Sequence, residues 1–315
     1  MSQVFRILAV PLMLVGLPVA AATLAGFFGA QWWLFDVISS FRAQYAAILA
    51  VAASVLALAR WWVLAAIAGL ACLLNLAVIF PLYLPRADTA DDSARITVLS
   101  FNVLAGNSRY RAVTDYIRRT GPDVVFLHEA YEPWEEAVEA ADLGYEVTRS
   151  RTEELIFGTL VLTRPGAEVR SFGFAAGQRR GVEVRQMVGD REVAVLGIHP
   201  LAPTGPGRTE LRDGQLDWAA EWAESQTGPT VVTGDFNATL WSHAYRELQR
   251  RGALTESMRG FGLQPSYPVG VPLLRVPIDN LLHSADLATV SRQLGPSLGS
   301  DHFPLLVELA IRGGD

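Results

Sequence analysis

The stretch TVVTGDFNATLWS, residues 230–242, begins as an apolar strand and ends in a carboxylate and a carboxamide. Val231 and Val232 are typical of a buried strand, and Asp235 and Asn237 follow them two positions apart. Because residues i and i+2 of a strand point to the same face, we expect both polar side chains to project into one place. Asp and Asn are also common turn residues at strand ends, so this stretch alone fits a plain turn equally well.

Around this stretch, short apolar runs alternate with amphipathic segments. Three segments have helical periodicity, namely 109–119, 208–226 and 242–252. Eight runs have the length and β-branched content of strands: 95–103, 123–130, 156–164, 182–188, 192–200, 229–237, 278–284 and 304–311. Strands outnumber helices, so we predict a mixed α/β domain with two sheets in its core and helices outside, rather than a simple alternation of strands and helices.

Polar side chains suited to metal or phosphate chemistry recur at the ends of these strands. They are Asn102, Glu129, His199, Asp235 with Asn237, Asp279, and the pair Asp301 and His302. Each of them taken alone fits a turn, a surface charge or a satisfied loop residue. Together they offer oxygen ligands for a hard cation such as Mg²⁺, a base for water, and donors to a phosphate. The set therefore indicates phosphoester hydrolysis.

Six short motifs carry a specific resemblance: SFN (100–102), LHE (127–129), IHP (198–200), GDFNA (234–238), IDN (278–280) and SDHFP (300–304). In this order they resemble the endonuclease/exonuclease/phosphatase superfamily, which includes DNase I, sphingomyelinases and inositol-polyphosphate 5-phosphatases. The resemblance covers about residues 96–311. It implies a DNase I-like four-layer αββα sandwich with the active site at one end of the two packed sheets.

The resemblance also implies a metal site. Glu129 would be the main ligand, with Asn102 beside it and Asp301 close by. The expected ion is Mg²⁺, with Mn²⁺ as the alternative. No thiolate takes part, because the only cysteine, Cys72, lies in an apolar segment near the start of the chain.

The catalytic roles implied by the resemblance fall on five further residues. Asp235 would orient or deprotonate the attacking water, and Asn237 would hold the nucleophile or a phosphate oxygen. His302 would donate to the phosphate, with Asp279 accepting from its other ring nitrogen and keeping it protonated. His199 would be a second imidazole on the phosphate side, which favours the phosphodiesterase and phosphatase branches over abasic-site endonucleases.

The chain departs from the family pattern at three positions, which leaves the substrate open. His128 stands where Gln is usual, Pro200 where Leu is usual, and Asn280 where Tyr or His commonly follows the aspartate. Two other histidines, His243 and His283, match no catalytic position and are predicted to be structural.

The first 85 residues are too apolar for an ordinary soluble domain. Three stretches, 7–29, 43–59 and 61–83, contain no charged residue, and each has about the length that a membrane-spanning helix needs. We therefore predict a membrane region with about three transmembrane helices over 1–85, a polar linker over 86–95, and the catalytic domain over 96–315. The first stretch also fits a cleaved signal peptide, although the later two would still hold the chain in a membrane.

Loop arginines do not decide the orientation, since Arg6 and Arg60 would lie on one side and Arg42 and Arg86 on the other. The start of the chain resembles an export signal, so we expect a multi-pass protein of the cell membrane with its catalytic domain outside the cytoplasm. The formal net charge is −6, and an acidic chain lacks the basic stripe of proteins that bind nucleic-acid backbones.

These features together predict a membrane-anchored, metal-dependent phosphoesterase. Its substrate would be a phosphomonoester, phosphodiester or pyrophosphate, and the membrane region favours a lipid-linked or cell-envelope compound. The architecture is similar to membrane-anchored bacterial members of the superfamily linked to glycopeptide-antibiotic resistance. Two alternatives stay open: a nuclease acting on DNA or RNA, and a non-catalytic membrane-bound binding module.

Overall fold

A computed structural model describes residues 2–85, 94–150, 158–173 and 180–312 of the 315 residues. Most of the predicted linker, 86–93, and the first two residues of the predicted strand 156–164 lie outside the described residues. The N-terminal part is helical, and the remainder forms a mixed α/β domain.

Four helices form the N-terminal part: α1 (Ser2–Ala25), α2 (Trp33–Ile38), α3 (Arg42–Leu58) and α4 (Trp62–Ile79). Three segments, Ile7–Phe28, Trp33–Leu58 and Trp62–Tyr83, are long and apolar enough to cross a membrane, which agrees with the three predicted spans. Small residues such as Ala52 and Ala68 are buried where α1, α3 and α4 pack together, and Gly16 lets α1 approach Ala52 closely. The outer faces expose apolar side chains such as Leu14 and Val63.

Polar side chains join the three long helices at one end of this bundle. The guanidinium of Arg42 donates to the carbonyl oxygen of Thr23 (2.8 Å) and to the amide oxygen of Asn75 (3.3 Å), and its face covers the Phe27 ring. Asn75 in turn donates to the Thr23 hydroxyl (2.8 Å). Because these residues lie near the end of α1, the start of α3 and the end of α4, the network marks one shared end of the three helices.

Among the described residues, the α/β domain contains two six-stranded sheets. The first has the order β11-β12-β1-β2-β4-β3 and consists of β1 (Arg95–Asn102), β2 (Val124–His128), β3 (Glu146–Ser150), β4 (Thr159–Thr163), β11 (Leu287–Leu294) and β12 (Leu305–Ile311). The second has the order β5-β6-β7-β8-β10-β9 and consists of β5 (Glu168–Gly173), β6 (Arg180–Val188), β7 (Arg191–Ile198), β8 (Thr230–Asp235), β9 (Thr255–Glu256) and β10 (Asp279–His283).

The two sheets pack face to face, and helices cover both outer faces. Valines and leucines from both sheets form one buried cluster between them. Gly197 of β7 is required there, because a Cβ atom would lie 2.2 Å from the Phe126 ring of the opposite sheet. The helices α5 (Tyr110–Thr120) and α6 (Glu132–Ala140) pack on the first sheet, and α7 (Pro206–Glu224) and α8 (His243–Arg251) pack on the second. The predicted four-layer αββα sandwich is confirmed.

Strand direction positions the site. The central pairs β1–β2 and β7–β8 are parallel, so each pair ends at the same edge of its sheet. β10 runs antiparallel to β8 and pairs Asp279 with Asp235 across the ladder. The polar strand ends of both sheets therefore meet at one end of the sandwich.

Candidate active site

The strand ends enclose a cavity of ≈ 380 Å³ at one end of the sheets. Seven of the eight predicted site residues line it: Asn102, Glu129, His199, Asp235, Asn237, Asp301 and His302. The eighth, Asp279, is fully buried and contacts His302 from behind. The fold thus brings together all of the residues that the sequence singled out.

Asp235, the last residue of β8, lies at the centre of the polar network. Its Oδ2 accepts from the amide nitrogen of Asn102 (3.0 Å) and lies 3.4 Å from Nε2 of His199 and 3.7 Å from Nε2 of His302. Burial alone would raise the pKa of Asp235, but the two imidazoles and the Asn102 hydrogen bond outweigh it and lower the pKa. The carboxylate is therefore ionised at neutral pH.

Gly234 allows Asp235 to reach this position. Its φ is +148°, and a Cβ atom would lie 1.8 Å from the carbonyl oxygen of Ile198 on the adjacent β7. Such a separation excludes any side chain, so glycine is required at position 234.

Asn237 reaches the cavity by a turn and not by strand alternation. β8 ends at Asp235, and Asn237 has a left-handed backbone with φ +49°. Its N–H donates to Oδ1 of Asp235 (3.0 Å), and its amide nitrogen donates to the carbonyl oxygen of Pro200 (3.0 Å). The predicted strand over 229–237 therefore extended two residues too far at its C-terminal end, because the carboxylate of Asp235 forms a local bond that closes a turn.

Glu129 follows β2 with a left-handed backbone, φ +58°. Its Oε1 accepts from the amide nitrogen of Asn102 (3.1 Å), and its Oε2 accepts from the N–H of Ala105 (3.2 Å). Asn102 thus directs its amide nitrogen at both Glu129 and Asp235, while its amide oxygen accepts from the N–H of Leu104 (3.1 Å). In this arrangement Asn102 orients the two carboxylates, and ligation of a metal through its oxygen would require the amide to turn over.

His302 and Asp279 form a buried pair. Nδ1 of His302 lies 2.8 Å from Oδ2 of Asp279. Burial alone would lower the pKa of His302, but Asp279 and Asp235 outweigh it and raise the pKa to about 10. Burial raises the pKa of Asp279, and the charge of His302 opposes that shift. His302 is consequently protonated at neutral pH, with Nε2 directed at Asp235.

His199 directly follows β7 and lies between Asp235 and Glu129. Its Nε2 is 3.4 Å from Asp235 and 3.9 Å from Oε1 of Glu129. The ring of His128 lies behind it, with 5.5 Å between the ring centroids. His128, which stands where Gln is usual, is fully buried and contacts Ser100 and Thr159. Its ring therefore packs against His199 from the first sheet.

The donor set fits a hard divalent cation. Glu129 and Asp301 both line the cavity with carboxylate oxygens, the ligands that Mg²⁺ prefers. Ser300 links Asp301 to this region, because its hydroxyl donates to the carbonyl oxygen of Asn102 (2.7 Å). A second group, Asp235, Asp279 and His302, has potential ligand atoms within 4.8 Å of one another. Asp279 and His302 already bind each other, so the Glu129 side of the cavity suits a cation better.

Several cavity residues were not anticipated from the sequence. The Tyr267 ring packs against His302 with 4.6 Å between centroids, and burial together with Asp301 and Asp235 raises the pKa of its phenol. Arg208, in the first turn of α7, is the only arginine among the described residues that line the cavity. Neither residue belongs to a strand-end motif, so no local signal marked them.

The cavity also receives residues from the N-terminal helical part. Val37, Ser40 and Phe41, from the segment 33–41 that precedes α3, also line it. This segment is bound to the α/β domain through Asp36, which accepts from Arg212 at 2.5 Å. No sequence pattern indicated that this segment reaches the site.

His243 and His283, which were predicted to be structural, are not among the residues that line the cavity. His283 is buried, and its ring nitrogens contact the hydroxyl of Thr289 (3.0 Å) and the carbonyl oxygen of Ser284 (2.8 Å). His243 begins α8, and its N–H donates to Asp36. Both contacts agree with a structural role.

Comparisons with known proteins agree with this geometry. The sequence model of the Endonuclease/Exonuclease/phosphatase family matches residues 99–302. A family protein from Bacteroides thetaiotaomicron has a similar structure, with a TM-score of 0.59 and 16% identity over 70% of this chain and 99% of that chain. D. rerio TDP2 complexed with a single-strand DNA product gives 0.57 and 14%, over 68% and 98%. The human Nocturnin catalytic domain with bound sulfate gives 0.55 and 17%, over 71% and 97%. No curated protein matches the chain.

Proposed function

Because the chain belongs to the endonuclease/exonuclease/phosphatase family, we propose that it is a membrane-anchored, metal-dependent phosphoesterase acting on a lipid-linked or cell-envelope substrate. The family includes both phosphoesterases and nucleases. One observation carries the choice between them: the cavity with the polar strand ends is also lined by Val37, Ser40 and Phe41 of the membrane region. A cavity shared in this way favours a phosphate presented at a bilayer surface, as a phosphomonoester, a phosphodiester or a pyrophosphate.

In the proposed mechanism Glu129 and Asp301 hold the divalent cation, Mg²⁺ or alternatively Mn²⁺, and Asn102 orients Glu129. When bound, the cation neutralises charge on the phosphate oxygens. The hydrogen bonds from the Asn102 amide and the Ala105 N–H fix the Glu129 side chain at the cavity.

Asp235 orients the attacking water and accepts its proton. It suits this role because it is buried, ionised and adjacent to the space between the two imidazoles. Asn237, held by its bonds to Asp235 and Pro200, keeps the turn in place and offers its carboxamide to the nucleophile or to a phosphate oxygen.

His302 donates from Nε2 to a phosphate oxygen as negative charge develops there, while Asp279 holds Nδ1 and keeps the ring protonated. His199 contributes a second imidazole on the same side. The proposed reaction is in-line attack of water on phosphorus, with the leaving oxygen departing away from Asp235.

The arrangement of the helices bears on which side of the membrane the catalytic domain lies. It contacts Leu82, three residues after the end of α4, and Gln44, near the start of α3, so it lies at one end of the helical bundle. If all three long helices cross the bilayer, residue 2 and the catalytic domain are on opposite sides. We propose that the domain lies outside the cytoplasm, and a reporter fused after Asp315 tests this orientation.

The function is tested by phosphate release from the purified full chain in detergent, with Mg²⁺, Mn²⁺ or a chelator. The substrates are lipid phosphates, a polyprenyl pyrophosphate and DNA. We expect metal-dependent turnover of a lipid-linked compound, abolished by Glu129→Gln but retained by Glu132→Gln, which changes an exposed glutamate three residues away. Turnover of DNA alone would overturn the lipid substrate. If turnover is unchanged in Glu129→Gln and Asp235→Ala, it does not come from this site, and that result would instead favour a non-catalytic module.

A further inference from the structure

Between β9 and β10 the chain forms a projection, residues 267–276, which we call the finger. Its tip carries three exposed apolar side chains, Val271 (47%), Leu273 (85%) and Leu274 (54%). Leu273 is more exposed than any large apolar side chain described on the helices, where the highest value is 74% at Val63. Clustered apolar side chains of this size on a surface mark an interaction site.

The base of the finger is rigid, so the tip is held outwards. Tyr267 and Val276 pair across it, with N–H to carbonyl distances of 3.2 Å and 2.6 Å. The guanidinium of Arg275 donates to the carbonyl oxygens of Pro268 (3.2 Å) and Val269 (2.6 Å) and packs over the Phe303 ring. The side chains at the tip are therefore not free to fold back onto the domain.

The finger stands beside both the candidate active site and the helical bundle. Tyr267 and Val276 line the cavity. The carbonyl oxygen of Arg275 accepts from the amide of Gln44 (2.8 Å), which lies in the first turn of α3. The base of the finger is thus fixed at the start of α3, the helix that makes up most of the second candidate span.

We propose that the finger inserts Val271, Leu273 and Leu274 into the interface of the bilayer that holds the helices, next to the mouth of the cavity. The inference rests on the proposed membrane function, because it requires the helices to cross a bilayer. The bilayer is the fitting occupant for two reasons. Residues 270–274, GVPLL, offer no charged or hydrogen-bonding side chain to a protein partner. The base of the finger is also hydrogen-bonded to α3, which belongs to a candidate membrane span.

Insertion at this point places the cavity mouth at the level of the lipid headgroups. The phosphate of a membrane lipid then reaches the cavity while its hydrocarbon chain stays in the bilayer. The finger would therefore favour long-chain amphiphiles over water-soluble esters that carry the same phosphate.

The insertion is tested with a fluorescent probe on the full chain in phosphatidylcholine vesicles. In a Cys72→Ala background, Leu273→Cys carries an environment-sensitive fluorophore. The matched control is Met187→Cys, which labels another exposed apolar side chain, at the opposite end of the second sheet. We expect the probe at 273 to be blue-shifted and quenched several-fold more by nitroxide lipids than the probe at 187. Equal protection from lipid quenchers and equal access to iodide at both positions would overturn the proposal.

A second variant links the finger to substrate choice. We expect Leu273→Ser with Leu274→Ser to raise KM several-fold for a long-chain lipid phosphate in vesicles and to leave KM for a short-chain soluble ester unchanged. An unchanged KM for both would overturn the proposal. The two proposals fail separately: a lipid-protected probe without turnover of any lipid phosphate overturns the substrate but not the insertion. Turnover with a water-exposed probe overturns the insertion alone.

Discussion

Replacing Asp36 with alanine removes a buried carboxylate that binds the segment 33–41 to the catalytic domain. Asp36 is 2% exposed and accepts from Arg212 (2.5 Å), from the hydroxyl of Ser242 (3.1 Å) and from the N–H of His243 (2.5 Å). The last two contacts satisfy the N-terminus of α8. Arg212 also donates to the carbonyl oxygen of Asn237 (3.2 Å), so this network connects the segment 33–41 to the turn at the candidate active site.

The expected loss of stability follows from burial. Breaking a buried ion pair by removing one partner costs about 3–5 kcal/mol, since the other charge is left uncompensated. Arg212 keeps one carboxylate partner, because its Nε donates to Asp213 at 2.7 Å, and it keeps its bond to the Asn237 carbonyl oxygen; both contacts reduce the loss. We therefore expect about 3 kcal/mol, which lowers Tm by about 6–12 °C for a domain of this size.

The measurement is thermal unfolding of the full chain in detergent, followed by circular dichroism. The control is Asp213→Ala, which removes the other carboxylate on Arg212. Asp213 is 42% exposed, so its pair with Arg212 contributes at most about 1 kcal/mol. If Asp36→Ala and Asp213→Ala lower Tm by the same small amount, the buried contact does not hold the two parts together. A double variant Asp36→Ala with Arg212→Leu should recover part of the loss, because no buried charge is left unpaired.

Three further predictions concern the cavity and its strand ends. His302→Ala should lower kcat by about 10²–10³-fold, the usual effect of removing one donor to the developing charge, with far-UV circular dichroism unchanged. Arg208→Ala should raise KM for the anionic substrate with little change in kcat, because the exposed guanidinium contributes binding and no chemistry; a fall in kcat alone would argue against this role. Gly234→Ala should destabilise the domain by at least about 1–3 kcal/mol in denaturant unfolding, because its Cβ atom would overlap the Ile198 carbonyl oxygen; an unchanged midpoint would contradict this reasoning.

The sequence predicted the interior of the fold better than its edges. Each of the eight predicted strands has a counterpart among the described residues, and the three predicted helices agree within two residues. The four strands that were not predicted, β3, β5, β9 and β11, are the outermost strands of the two sheets. An edge strand faces solvent along one side, so segments such as EVTRS in β3 carry charges and lack the apolar run by which central strands are identified.

The candidate site was likewise predicted only in part from the sequence. The polar residues at the ends of apolar strands could be identified only as a set, through the motifs that contain them, and parallel pairing brings several of those ends together. The turn at Asn237 could not be predicted, since strand alternation and a local bond to Asp235 give the same spacing. Tyr267 and Arg208 lie in a loop and on a helix, where aromatic and basic side chains are common and indicate nothing.

The sequence by itself determined the apolar N-terminal segments, the central strands and the identity of the polar groups at their ends. These features depend on periodicity and composition within about 20 residues, so they can be detected without knowing the fold. Only the tertiary structure decided that Asp36 meets Ser242, 206 positions away, that Gln44 fixes the finger, and that Val37 and Phe41 line the cavity. Such contacts depend on how the sheets and helices pack, and no local sequence pattern indicates a contact partner that lies so far along the chain.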